Sequence, residues 1–275
     1  MADGYSMLHL TPRNTARQRV ESFSLSIEPE PDEFQDDVDP FGNHVTRVAV
    51  HHPHRSLVVD STIVVDLDGP VLAPSDGASW EEVAAMAADL RGDGALDVAP
   101  FLAHTQSTAR LARLTPITSA EFTPGRSLVD AVSGLCAHIF RSFVFDPGFT
   151  DVATPLETVL AERRGVCQDF AHVSVAALRS MGIPARYVSG YIETMPPPGE
   201  PKLIGVDASH AWCSVWAGEL GWLHFDPTNN QMPPLRHITI GWGRDYDDIA
   251  PVRGVVIGPG GHQSLHVAVD VVCLD

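Results

Sequence analysis

Between Arg164 and Asn230 the sequence passes from helical to strand-like patterning, and one cysteine, one histidine and one aspartate stand in order across that change. Upstream, the chain as far as Leu67 alternates in strand fashion and is rich in turn residues. Helical spacing takes over between Trp80 and Ser180, and strand patterning returns after Ala185. An alternating parallel sheet needs a crossover between successive strands, and a β-then-α-then-β order does not supply one. The order specifies an α+β fold. At 275 residues the chain can bury a substantial core and is expected to divide in two: an N-terminal antiparallel β-sandwich over residues 1–70, and a second domain over 71–275 that includes the C-terminal strands.

Local patterns place the elements. Phe23, Leu25 and Ile27 share one face of a strand, and His44 to His51 and Ser56 to Leu67 read as further strands, with Phe41-Gly42-Asn43 as a turn. Glu28 to Asp39 is acidic and carries Pro29 and Pro31, with Pro40 following. It reads as a solvated loop, and it lacks the ligand spacing of a Ca²⁺ loop. Gly69 to Gly77 reads as a linker. Helices are expected from Trp80 to Leu90, from Ser127 onward (Leu128, Val132, Leu135 and Ile139 on one face), from Pro155 with Thr154 as cap, and from Cys167 to Ser180, stopped by Gly182 and Pro184. Strands are expected at Ala185–Tyr191, His210–Trp216, Trp222–Asp226, Val255–Gly258 and Leu265–Cys273.

A formal charge of −17 argues against nucleic acid or an anionic membrane as partner, since both require a basic face. Met1 to Tyr5 lacks a basic stretch followed by an apolar one, and no apolar run reaches the roughly 18 residues that span a bilayer. The expected location is cytoplasmic. Cys136, Cys167, Cys213 and Cys273 form no CxxC pair and read as reduced thiols. His51-His52-Pro53-His54 reads as a surface turn, because adjacent histidines on a strand point to opposite faces. No phosphate loop or dinucleotide fingerprint is present, and neither a metal nor an organic cofactor is expected.

Cys167 follows Gly165 by two residues and opens a helix. A helix N-terminus stabilises a thiolate and turns its first amides toward a developing oxyanion. His210 and Asp226 lie on two strands separated by a glycine-containing turn. With Gly218 at the centre of the loop, Trp216 faces Leu220, Ser214 faces Trp222, Trp212 faces His224 and His210 faces Asp226. Opposed residues have Cβ atoms roughly 4.5–5.5 Å apart, close enough for an imidazole and a carboxylate to bond. A slip of one residue would destroy the pairing. A thiol, a base and a carboxylate orienting that base are the minimal set for covalent acyl transfer. Gln168, beside the nucleophile, and Trp212, two residues after the base, are the expected substrate contacts.

At these residues the sequence resembles the transglutaminase-like superfamily of papain-related thiol enzymes, in its bacterial branch with an N-terminal β-domain. The matching runs are Arg164-Gly165-Val166-Cys167-Gln168-Asp169-Phe170-Ala171-His172, Gly182-Ile183-Pro184-Ala185-Arg186-Tyr187-Val188-Ser189-Gly190-Tyr191, Ser209-His210-Ala211-Trp212 and Phe225-Asp226-Pro227-Thr228-Asn229. Asp39-Pro40-Phe41-Gly42-Asn43 and Gly243-Arg244-Asp245-Tyr246-Asp247-Asp248 match outside them. The resemblance implies that Cys167, His210 and Asp226 are a catalytic triad, and that a β-sandwich precedes a papain-like core of helices packed on an antiparallel sheet. It leaves the reaction open among peptide or amide hydrolysis, acyl transfer to an amine and a non-catalytic binding module. Hydrolysis of a peptide or amide-containing substrate is the first expectation.

Overall fold

The computed structural model describes residues 3–69, 77–193, 208–231, 236–258 and 264–274. Five strands come first: β1 (Asp3–Leu8), β2 (Gln18–Glu28), β3 (Glu33–Val38), β4 (His44–Val50) and β5 (Val58–Leu67). The middle of the chain holds α1 (Trp80–Asp89), α2 (Asp93–Leu96), α3 (Thr115–Glu121), α4 (Leu128–Ser142), β6 (Val144–Phe145), α5 (Leu156–Glu162), β7 (Arg164–Gly165) and α6 (Cys167–Ser180). After it come β8 (Ala185–Ile192), β9 (Ala208–Trp216), β10 (Trp222–Phe225), β11 (His237–Gly243) and β12 (Val252–Ile257). The fold is α+β, as the order of patterns predicts.

The N-terminal strands form a sandwich. One layer is the sheet β12-β1-β4-β3 and the other the ribbon β2-β5. Leu8, Leu10 and Val48 pack between them against Leu25, Ile27 and Val59. The core is a second antiparallel sheet, ordered β10-β9-β8-β11, with α6 packed on β8 and β9. Ala171, Ala176 and Ala177 are fully buried along α6. Small side chains let this helix be enclosed by the sheet on one side and by the apolar stripe of α4 (Val132, Leu135, Ile139) on the other. Ser127 caps α4 by accepting the Asp130 amide at 3.1 Å.

Three local expectations differ from what is observed. Within the acidic stretch read as a loop, Glu33–Val38 is a strand paired to β4. Its alternation is masked because it is an edge strand wetted on both faces, where charge deters further pairing. Thr154 bonds the Asp151 carboxylate instead of capping, and α5 begins one residue later with Pro155 at its N-cap. Leu265–Cys273 has the apolar content of a strand but is irregular, with Leu265 77% exposed. Most of the expected linker, 70–76, lies outside the described residues. The last strand, β12, crosses back from the second half of the chain to pair with β1.

Two side-chain amides join the halves. β11 is an edge of the core sheet, with a register irregularity between Thr239 and Gly241. Gln18 bonds both backbone groups of Thr239, donating to its carbonyl and accepting from its amide, each at 2.7 Å. Asn43 does the same at Trp242, at 2.8 and 3.0 Å. Asn43 is itself aimed by Asp39, which accepts its amide N–H groups from backbone and side chain. The Asp39-to-Asn43 run is therefore a docking element. Gly241 is required opposite it, because a Cβ there would lie 2.5 Å from Asn43 Oδ1. Replacing Asn43 with Ala strands a buried backbone donor and acceptor, and is expected to cost about 2 kcal/mol in chemical denaturation. A loss under about 0.5 kcal/mol would contradict this role.

Candidate active site

Cys167 is the first residue of α6 and is half-buried. Val166 before it offers no side-chain acceptor, so the helix start is secured from inside its first turn. Asp169 Oδ2 accepts the Val166 amide at 2.8 Å and the Thr150 hydroxyl at 2.7 Å. Burial pushes the Asp169 pKa up against those two bonds. The bend entering the helix brings Gly165 so close that a Cβ would sit 2.5 Å from Asp169 Oδ2. The Gly-Val-Cys-Gln-Asp run thus combines clearance, thiol and cap in five residues. The short parallel pairing of β6 and β7 fixes the approach, with Asp146 donating to the Gly165 carbonyl at 2.8 Å.

His210 and Asp226 do meet, but not as the expected register has it. Trp222 pairs with Trp216, His224 with Ser214 and Phe225 with Cys213. The loop is Ala217–Gly221, with a 3₁₀ turn at Gly218–Leu220, so the pairing is offset by two residues from a loop centred on Gly218. An even offset keeps every side chain on its face, whereas an odd one would have turned it over. Asp226, one residue beyond β10, therefore reaches His210 on the diagonal, with Nε2···Oδ2 at 2.9 Å.

Asp226 is 0% exposed and accepts five hydrogen bonds. Oδ1 takes the amides of Thr228 (2.9 Å) and Asn229 (3.2 Å). Oδ2 takes the Asn229 side chain (2.7 Å), His210 (2.9 Å) and His237 (2.8 Å). Burial alone would raise this carboxyl's pKa, but the donors outweigh it and hold the group well below the usual carboxylate range. A carboxylate oxygen only accepts, so His210 Nε2 carries a proton and Nδ1 lies outside that bond. Cys167 is near enough to interact electrostatically with the imidazole. Burial disfavours the imidazolium, but the bond to Asp226 and the nearby Cys167 prevail and raise the His210 pKa to about 9. His237 is pushed down by burial despite its bond to Asp226.

The two expected substrate contacts separate. Gln168 is half-exposed beside Cys167. Trp212 is 0% exposed, its indole donates to His224 Nδ1 at 2.7 Å, and its ring lies parallel to that of His210 at 6.0 Å. No face of Trp212 is left for substrate, and it backs the base instead. His237 was not anticipated. The alternation of His-Ile-Thr-Ile was the available signal, weakened by Gly241 and Gly243 in the same run.

Several other chemistry-bearing residues have structural roles. His172 is buried, accepts the Tyr246 amide at 3.1 Å and has its pKa lowered to about 3 by burial. Cys213 is in the core. His51 and His52 bond Asp3, Glu33 and Asp32 at the surface. His210, Asp226 and His237 are the one group among the described residues whose donor atoms, all within 4.8 Å, could hold a metal. We do not read them as ligands: their contacts of 2.8 and 2.9 Å have the length of charge-assisted N–H···O bonds, and a metal would have to take both imidazole protons.

Comparison with known proteins agrees with the fold. Residues 116–227 match the transglutaminase-like superfamily core, and residues 1–66 match the bacterial transglutaminase-like N-terminal region. An uncharacterised protein of Mycobacterium tuberculosis is 38% identical over 285 aligned residues, covering 99% of this chain and 88% of that one. A protein-glutamine gamma-glutamyltransferase of Pseudomonas aeruginosa is 40% identical over 72 residues, which are 26% of this chain and 11% of that one. The solved structure of a candidate cysteine protease from Cytophaga hutchinsonii shares the fold, with a TM-score of 0.72 at 22% identity over 98% of this chain and 87% of that one. No helix among the described residues is long and apolar enough to cross a membrane. The chain belongs to the transglutaminase-like superfamily, and it carries that superfamily's bacterial N-terminal region.

Proposed function

We propose that the protein is a cysteine hydrolase of peptide or amide bonds, with Cys167 as nucleophile, His210 as acid and base, and Asp226 as the residue that orients and charges His210. The observation carrying this reading is a single imidazole bonded to a buried carboxylate and close to a thiol at a helix N-terminus. The Cys167 thiolate attacks the carbonyl carbon, and the oxyanion is met by first-turn amides of α6, with the half-exposed Gln168 beside them. His210 gives its Nδ1 proton to the leaving amine as the C–N bond breaks, leaving a thioester on sulfur. It then takes a proton from water, whose oxygen adds to the acyl carbon. The C–S bond breaks, the acid departs, and the thiolate–imidazolium pair is restored.

Hydrolysis is supported by the partial exposure of Cys167, which lets water reach the acyl-enzyme. Transfer to an amine is the second reading, supported by the named activity of the Pseudomonas protein, over a quarter of this chain. Both share the first half-reaction. Exposure to a library of peptides and amides is expected to leave an acyl mass on Cys167 that is absent from Cys167→Ala. Adding a primary amine during turnover is expected to leave the free acid as main product, and amide product in its place would establish transfer. No adduct with any member of the library would count against catalysis.

The same charges give stability a pH signature. The His210 pKa lies above its unfolded value, so its contribution is complete below about pH 6.5 and is lost as pH rises through about 9. Asp226 lies below its unfolded value, so its contribution is present above about pH 4 and lost on acidification. Denaturation midpoints are expected to fall between about pH 7 and 10 in the wild type and much less in His210→Phe. Parallel curves for the two would contradict the assignment.

A further inference from the structure

His237 lies on β11, at the far side of the site from the thiol, and is 5% exposed. Its Nε2 is 2.8 Å from the same carboxylate oxygen that holds His210. Its Nδ1 is buried with no hydrogen-bond partner among the described residues. We propose that His237 is a positioning residue: as a permanently neutral N–H donor sharing Asp226 Oδ2 with His210, it fixes the carboxylate and keeps the His210 proton transferable. The inference rests on the triad reading and adds to it the group that sets the strength of the His210–Asp226 pair.

Three observations make the donor permanently neutral. Oδ2 can only accept, so the Nε2 position holds the proton and the bare lone pair is at Nδ1. A second proton at Nδ1 would be buried with nothing to receive it. It would also add a second positive charge beside His210, whose ring centroid is 5.4 Å from that of His237 and whose pKa is raised. The remaining ionisable neighbours do not alter this. His224 on β10 is held neutral by burial and accepts from Trp212, Arg236 is paired with Glu193 at 3.7 Å, and Cys167 on α6 acts through His210.

The effect on His210 follows from sharing. An oxygen that serves three donors offers each less charge than it would offer one. Without the His237 N–H, His210 would hold more of Oδ2 and keep its proton more tightly, a poorer acid for the leaving amine. The unsatisfied Nδ1 is the cost at which the fold keeps a histidine where a phenylalanine would fill similar space.

Alkylation of Cys167 by iodoacetamide across the pH range reads the His210 ionisation without any substrate. Wild type is expected to show an alkaline inflection near 9, where the imidazolium beside the thiolate is lost. In His237→Phe it is expected to rise by roughly half to one pH unit, while His237→Gln, which keeps a neutral N–H donor, stays with wild type. An unmoved inflection in His237→Phe, or a Gln variant that behaves like Phe, would overturn the proposal. Should the Phe variant not fold, imidazole ¹⁵N spectra of the wild type decide. A proton on Nε2 of His237 with no titration between about pH 5 and 9 is expected, and a proton on Nδ1, or titration near 6.5, would overturn it. A wild-type profile of one simple thiol ionisation would instead sink the triad reading, leaving the His237 tautomer to be settled by the spectra alone.

Discussion

Five donors converge on one buried carboxylate, and the rest of the site is arranged by that convergence. A carboxylate 0% exposed would ordinarily be expelled or protonated, and Asp226 is neither because every lone pair on it is used. The cluster is also what locks tautomers. Each imidazole presents an N–H to Asp226, and the other nitrogen of His237 has no hydrogen-bond partner among the described residues.

The scaffold brings three distant segments to this point by different means. α6 delivers Cys167 through a bend that tolerates only glycine at 165, locked by Asp169. The β9–β10 hairpin delivers His210 and Asp226. β11 delivers His237, and β11 is an edge strand that depends on Gln18 and Asn43 from the N-terminal half to satisfy Thr239 and Trp242. The N-terminal sandwich, which holds none of Cys167, His210 and Asp226, is thereby coupled to them through two side-chain amides.

The legible parts of the sequence were those whose signal is local. Helical spacing after Ser127 and Cys167, and a cysteine two residues behind a glycine, follow from rules that span a few residues. The meeting of His210 with Asp226 was legible too, and it survived a mistaken register because strand faces repeat every two residues and the error was two. What was hidden depends on partners far along the chain. Glu33–Val38 looks like a loop until β4 lies beside it, and Trp212 looks like a substrate contact until His224 takes its N–H. Nothing within ten residues of His237 announces that a carboxylate eleven positions earlier will receive it.

The central claim is that Cys167 reacts as one half of an ion pair, and competitive alkylation of the four cysteines at about pH 6 tests it most directly. An ordinary thiol loses reactivity as acid suppresses its thiolate, whereas a thiolate paired with an imidazolium does not. Half-buried Cys167 is expected to be labelled at least about a hundred times faster than the exposed Cys273, and to lose that advantage in His210→Ala. Labelling of Cys167 no faster than Cys273 would contradict the ion pair and the catalytic role built on it.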